Sequence, residues 1–261
     1  MVRFLNTVRQ AALISLITLA PMYGRAQTNS PQPAPIRNIV LVHGAWADGS
    51  SWNKIIPLLE KKGFHVTAVH LPFTTLAEDA ATVKRTLALE DGPVLLVGHS
   101  YGGVVITEAG DNPKVAGLVY VAAFAPDLGQ SAGELSNQYP PASGGKEIRP
   151  DVNGFLQLTE QGVAQDFAQD LTTPEKQLIA ATQGQVSGPN ELGAKVTAVA
   201  WKQKPTSYIV ADQDRMIAPE LEKNFSEQMH AKTIHIPSSH VPMLSHPVEV
   251  ANFIAAAAGA Q

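Results

Sequence analysis

Four short stretches of the chain carry residue types that can do chemistry together. In Gly98-His99-Ser100-Tyr101-Gly102 a serine stands between glycines, with the apolar run PVLLV before it and VVITEAG after it. Serine and glycine are poor choices inside a strand or a helix. The local rules therefore break where the two runs meet, and such breaks tend to sit at functional sites. A serine on a tight strand-to-helix turn exposes its hydroxyl. That hydroxyl attacks a carbonyl only if a base takes its proton, and the helix N-terminus behind it favours a developing oxyanion. Upstream, LVHGAW ends a strand at His43-Gly44, and the turn after it can present the Ala45 amide as an oxyanion donor. Downstream, YIVADQDRMIAP sets Asp212 and Asp214 just after a strand, and IPSSHVPML sets His240 after the next one. Serine, carboxylate and histidine are the parts of acyl transfer through a covalent intermediate.

These groups need a frame that brings them together. From Asn38 onward, strand and helix signals alternate. NIVLV, HVTAVHL, PVLLV, VAGLVYVAAF, TSYIVA and KTIHIP read as strands. The first is a continuous β-branched run, as expected of a strand buried on both faces. SSWNKIIPLLEKKG reads as a helix closed by Gly63, and LAEDAATVKRTLALEDG places Leu76, Ala80, Val83 and Leu87 on one helical face. YGGVVITEAG, PELEKNFSEQMHA and HPVEVANFIAAAAG complete the helices. Such alternation predicts an α/β architecture, a mostly parallel central sheet flanked by helices. The pattern stops after Pro126 and resumes at Thr206. Residues 127–204 are rich in Gly, Pro, Gln, Ser and Ala, with helical stretches such as TEQGVAQDFAQDL and TPEKQLIAATQG. That is longer than one crossover needs, so the core is expected at 38–126 and 205–261, with a helical lid insertion over 127–204.

The chain of 261 residues carries a net charge of -4 with 16% charged residues, and no run of like charges. That balance points away from a nucleic-acid partner. There is no cysteine, which removes disulfides, thiolate zinc sites and a cysteine nucleophile. Arg3 and Arg9 precede the apolar run AALISLITLA, and Gly24 and Ala26 offer small residues for cleavage. Residues 1–26 therefore read as a signal peptide and 27–37 as a linker, giving an exported protein, periplasmic or secreted, with no stable membrane span after cleavage. His43 and His99 flank the two turns and are expected to orient backbone or pack beneath the site. His235 and His240 stand five apart, but a strand–loop setting without further ligands does not match a metal pair. No phosphate-binding glycine motif follows a strand, so no cofactor is indicated. Trp46, Trp52 and Tyr101 are expected as pocket or core walls, and Phe155, Phe167 and Trp201 as core packing with a pocket wall as the alternative.

With VLVHGAWADGSSWNKIIPLLEKKGFHVTAVHLP, LLVGHSYGG, YIVADQDRMIAP and SSHVPMLSHPVEVANFI in this order, the chain from about Asn38 onward resembles an α/β-hydrolase. Within that superfamily it is similar to the branch that contains plant methylesterases, hydroxynitrile lyases and bacterial relatives. The resemblance implies Ser100 as nucleophile, His240 as base, Asp214 rather than Asp212 as its orienter, and the amides of Ala45 and Tyr101 as the oxyanion hole. It implies a serine esterase acting on a small-molecule carboxylic ester. The alternatives are another chemistry on the same residues, such as a hydroxynitrile lyase or a perhydrolase, and a non-catalytic ligand-binding protein. The lyases of the branch carry a lysine directly after the histidine, whereas this chain has Val241 there.

Overall fold

Segments of apolar, often β-branched residues pair side by side because their side chains can be buried on both faces of a sheet. In the computed structural model, which describes Met1 and residues 34–259, six such segments do so. The expected signal segment, its cleavage site and most of the linker lie outside the described residues. The core runs β1 (Asn38–Val42), α1 (Ile56–Lys61), β2 (His65–Val69), α2 (Leu76–Leu89), β3 (Val94–His99), α3 (Gly102–Ala109) and β4 (Val115–Val121). An insertion follows, with α4 (Ala132–Ser136), β5 (Ile148–Pro150), β6 (Phe155–Leu158), α5 (Glu160–Gly162), α6 (Thr173–Thr182) and β7 (Val186–Ser187). The core resumes with β8 (Thr206–Ala211), α7 (Pro219–Gln228), β9 (Lys232–Ile236), α8 (Pro242–Ser245) and α9 (Pro247–Ala257).

The main sheet has the order β2-β1-β3-β4-β8-β9, and every pairing in it is parallel. Its central strands are fully buried, among them Leu41, Leu96 and Val97. Each such side chain contributes about 1.5–3 kcal/mol of burial free energy. A parallel sheet places all strand C-termini at one edge. The turns after β1, β3, β8 and β9 therefore gather there, and these turns carry Ala45, Ser100, Asp214 and His240.

Two expectations are modified. The segment from Ser50 to Gly63 is not one helix. Asp48 caps a tight turn over Gly49–Trp52, its Oδ1 accepting the Ser50 N–H at 2.6 Å, and α1 starts afresh with Pro57 in its first turn. Proline lacks the N–H that a helix interior needs, so the helix can begin there but not run through it. Gly63, at φ 87°, closes α1 as anticipated.

The insertion is not purely helical either. Strands β5, β6 and β7 form a three-stranded antiparallel sheet. Asp151 Oδ1 accepts the N–H groups of Asn153 (2.8 Å) and Phe155 (2.9 Å), and Gly154 takes φ 83°. This is a hairpin turn encoded by Asp-Val-Asn-Gly, where Gly154 supplies the positive φ that the reversal needs. The expected helix from Thr159 to Leu171 shortens to α5 and a wider turn over Val163–Phe167.

Candidate active site

β3 ends at His99 and α3 starts at Gly102, so the chain must reverse within two residues. Ser100 absorbs the turn at φ 54°, a left-handed conformation that costs a non-glycine residue on the order of 1–3 kcal/mol. Neighbours hold it there. Its carbonyl accepts the N–H of Gly103 (2.9 Å) and of Phe124 (3.2 Å), and its own N–H donates to Val121 O at 3.3 Å. A Cβ on Gly98 would stand 2.6 Å from the Gly102 carbonyl oxygen, and one on Gly44 would stand 2.6 Å from Ser100 Cβ. Only glycine permits both approaches.

His240 lies in the turn after β9, fully buried beside Ser100. The Ser100 hydroxyl donates to His240 Nε2 at 2.8 Å, and His240 Nδ1–H donates to Asp214 Oδ2 at 2.5 Å. The other Asp214 oxygen, Oδ1, accepts the N–H groups of Met216 (2.6 Å) and Ile217 (2.9 Å), which lock the carboxylate in place. Asp212 points elsewhere: its Oδ1 accepts from His235 Nδ1 at 2.8 Å on an exposed patch. The histidine pair considered for a metal is thus divided between two carboxylates. Behind the imidazole, Phe167 meets the His240 ring edge-on with centroids 5.1 Å apart, and His99 Nε2–H donates to the His240 carbonyl at 2.8 Å. Burial holds the His99 pKa well below its ordinary value, so the ring is neutral. Phe167 is a wall for the histidine, Trp201 donates its indole N–H to Pro126 O at 2.9 Å, and both are buried core residues.

Sequence reasoning missed Glu222. It sits on the inner face of α7 beside Leu221 and Phe225. Its carboxyl is fully buried close to Asp214, Oε2 accepts the Ala211 N–H at 2.9 Å, and Oε1 receives no hydrogen bond from any described residue. Burial and the Asp214 charge push its pKa well above the usual carboxylate range. The signal was an acid at an inward position of an amphipathic helix, where a charge alone would be costly.

The turn after β1 has its own lock. His43 Nε2 accepts the Leu71 N–H at 3.1 Å, so the ring proton is on Nδ1, which donates to the Gly44 carbonyl at 3.0 Å. In a trans peptide C=O and N–H point opposite ways, so the Ala45 N–H is directed away from His43. Among the described residues no backbone acceptor takes the N–H of Ala45 or Tyr101. His43 thus orients backbone, as expected. Burial lowers its pKa from 6.5 to about 4. A histidine held neutral in the fold contributes stability above the unfolded value of 6.5 that is lost as pH falls through about 4. The loss amounts to about 3 kcal/mol once both limits are passed. Urea unfolding from pH 7 to 4 should show stability falling from near pH 6.5, with a smaller fall in His43→Gln.

The Ser100 hydroxyl opens into a cleft of about 500 Å3, open mouth included. Ala45, Trp46, Tyr101 and Phe124 come from the core, Ala132, Ser136, Ile148 and Leu192 from the insertion, and Met216 and Ile217 from the turn after Asp214. The walls are apolar and carry no Lys, Arg, Asp or Glu. Trp46 is fixed by its indole N–H, which donates to Leu156 O of β6 at 3.1 Å. A second cleft, of about 620 Å3, lies on the other side of Trp46 against α6 and contains neither Ser100 nor His240.

Known proteins share this frame. A pyrethroid hydrolase of Sphingobium wenxiniae is 27% identical over 250 residues, covering 84% of this chain and 87% of that protein. Methylesterase 8 of Arabidopsis thaliana is 29% identical over 210 residues, covering 72% and 76%. The crystal structure of a pyrethroid hydrolase from Sphingobium faniae superposes with a TM-score of 0.76 at 24% identity, covering 86% of this chain and 98% of that one. The family model described as "Alpha/beta hydrolase family" matches residues 39–253, most of the chain and all four turns of the site. The chain belongs to the alpha/beta hydrolase family, as its parallel sheet and the residues at its C-terminal edge indicated.

Proposed function

We propose that this enzyme cleaves small, apolar carboxylic esters, with Ser100 as nucleophile. The observation that carries the reading is the continuous chain Ser100 Oγ–His240–Asp214, 2.8 and 2.5 Å long, ending in an uncharged cleft. In the proposed sequence His240 Nε2 takes the Ser100 proton as Oγ attacks the ester carbonyl. The C=O π pair moves onto oxygen, which the Ala45 and Tyr101 amides stabilise. The imidazolium is held by Asp214 and gives its proton to the departing alkoxide, leaving an acyl-serine. A water then enters, loses a proton to His240 and attacks the acyl carbon. The acid leaves, and the proton returns to Ser100. The names of the relatives, a pyrethroid hydrolase and a methylesterase, support an ester as the substrate class.

The wall chemistry limits the substrate further. A cleft without a charged side chain rewards neutral acyl and alcohol groups and penalises ionised ones, which would lose their hydration without a partner. It also argues against cyanohydrin cleavage. That reaction expels cyanide, an anion best supported by a nearby cation. Val241 follows His240, and the two lysines that could have substituted are committed elsewhere: Lys195 pairs with Glu134 at 2.8 Å and Lys202 with Asp127 at 2.5 Å, all away from the cleft.

The test is a side-by-side assay of p-nitrophenyl acetate, a series of esters varying acyl and alcohol length, and mandelonitrile. Ester turnover is expected, with no benzaldehyde release above the spontaneous rate. Mandelonitrile cleavage without ester turnover would sink the reading. Binding without turnover of any substrate would return the chain to a ligand-binding role.

A further inference from the structure

Behind the Tyr101 turn lies a second set of buried carboxyls that the proposed mechanism does not use. Asp79 of α2 and Glu191, in the insertion turn Gly188–Leu192, are both fully buried. Asp79 Oδ1 accepts the Phe73 N–H at 3.1 Å, and Oδ2 accepts the Tyr101 hydroxyl at 2.9 Å. Glu191 Oε2 accepts the Ser187 N–H at 2.5 Å. Its Oε1, buried close to the Asp79 carboxyl, receives no N–H or O–H from any described residue. Two carboxyls can share a hydrogen bond only if one of them carries the proton. Asp79 already accepts on both oxygens, so a shared proton would sit on Glu191 Oε1, the oxygen of the pair left without a partner. The titratable groups facing the pair are Tyr101 from the turn and Glu78 from α2, and no cation is among them.

The two ends of this pair matter to the cleft. Asp79 grips the side chain of Tyr101, whose amide follows Ser100. Glu191 precedes Leu192, which walls the cleft from the insertion side. We propose that Asp79 and Glu191 share one proton as a clasp between core and insertion, and that the Tyr101 turn and the Leu192 wall are held in their working positions only while that proton is bound. The inference rests on the proposed role of the Tyr101 amide for its effect on activity, but not for its effect on stability. Asp79 and Glu191 are positioning residues and touch no substrate.

The clasp makes a directional prediction. Burial and the Asp79 charge raise the Glu191 carboxyl to about 9. A group whose value is raised in the fold contributes stability that is full below its unfolded value of 4.5 and lost as pH climbs through about 9. Above that, two adjacent carboxylates repel in a buried site with no counter-charge, and the insertion turn separates from Tyr101.

Glu191→Gln tests it, because the amide keeps one donor for Asp79 and one acceptor for Ser187 yet cannot ionise. kcat and KM for a neutral p-nitrophenyl ester should be measured from pH 6 to 10, corrected for spontaneous hydrolysis, with melting temperature recorded alongside. Each protein is scored by its own ratio of kcat/KM at pH 10 to that at pH 7. The wild type is expected to lose roughly tenfold, one proton's worth over one pH unit past the midpoint, with recovery on returning to pH 7. The loss should fall mainly on kcat, and a fall in Tm should accompany it. Glu191→Gln should keep its ratio near one and show a flatter Tm profile. Asp79→Asn, which removes the repelling charge from the other side, should flatten the Tm profile too and serves if Glu191→Gln does not fold. A wild-type ratio and Tm that are both flat to pH 10 would overturn the clasp. So would an alkaline loss of equal size in either variant. If the wild type hydrolyses no ester at any pH, the functional proposal fails, while the Tm comparison still decides the clasp.

Discussion

Ser100→Ala should abolish ester turnover, lowering kcat by about 10^4–10^6-fold while leaving the fold intact. The hydroxyl is the only group at the elbow that can form the acyl bond, and its loss leaves the oxyanion amides and the cleft to act on a water with no built position. A fluorophosphonate probe should label the wild type at Ser100 and leave the variant unlabelled. The other serines near the site lack a base. Ser131 Oγ accepts the Glu134 N–H at the start of α4, Ser238 donates to the Ser239 carbonyl, and Ser239 Oγ accepts the Val241 N–H. Label found on any of these by peptide mapping would overturn the assignment. Circular dichroism matching the wild type separates lost chemistry from lost structure.

The second large effect is expected at Asp214. Asp214→Asn should lower kcat by about 10^4-fold, because an amide NH2 set against Nδ1 favours the tautomer with its proton on Nε2. That proton would face Ser100 Oγ and leave the hydroxyl without an acceptor. Asp212→Asn should cost less than about tenfold, since among the described residues the Asp212 carboxylate hydrogen-bonds the exposed His235 and no group of the cleft. Measuring kcat for both variants on one ester decides it, and the reverse ranking would move the orienting role to Asp212. The buried Glu222 sharpens the contrast. It is buried close behind the Asp214 carboxyl, so Asn at position 214 changes the surroundings of that group on both sides.

Much of this was legible before folding because it is local. NIVLV and TSYIVA form β1 and β8 over the residues expected, since an unbroken apolar run needs burial on both faces. The serine turn was legible because glycine on both sides of a serine has no other structural use at a strand–helix junction. What misled was also local, but conflicting. Pro57 was absorbed into a helical pattern that it in fact restarts. A helical insertion over 127–204 leaves no place for Asp151-Val-Asn-Gly, which carries the residues of a hairpin. Phe155 and Phe167 looked equivalent as candidate walls, yet Phe167 packs on His240 and Phe155 belongs to the small sheet of the insertion.

The choice between Asp212 and Asp214 shows where sequence stops. Both follow β8, two residues apart. The Asp212 N–H donates to Ile236 O at 2.9 Å and so continues the β8–β9 ladder, which leaves its side chain beside His235. The Asp214 N–H turns back to Ala211 O at 3.1 Å, and this reversal swings its carboxylate under His240. Chain order and residue type determined that a serine, an acid and a histidine would meet at one edge of a parallel sheet, because strand direction follows from the βαβ connections. Only the tertiary structure decided which acid faces the histidine, which tautomer His43 takes, and that burial pushes the Glu222 and Glu191 carboxyls above the usual carboxylate range. Those outcomes depend on burial and on partners distant in the chain. The free energy of a charge is set by what surrounds it after packing, and no short stretch of sequence carries that information.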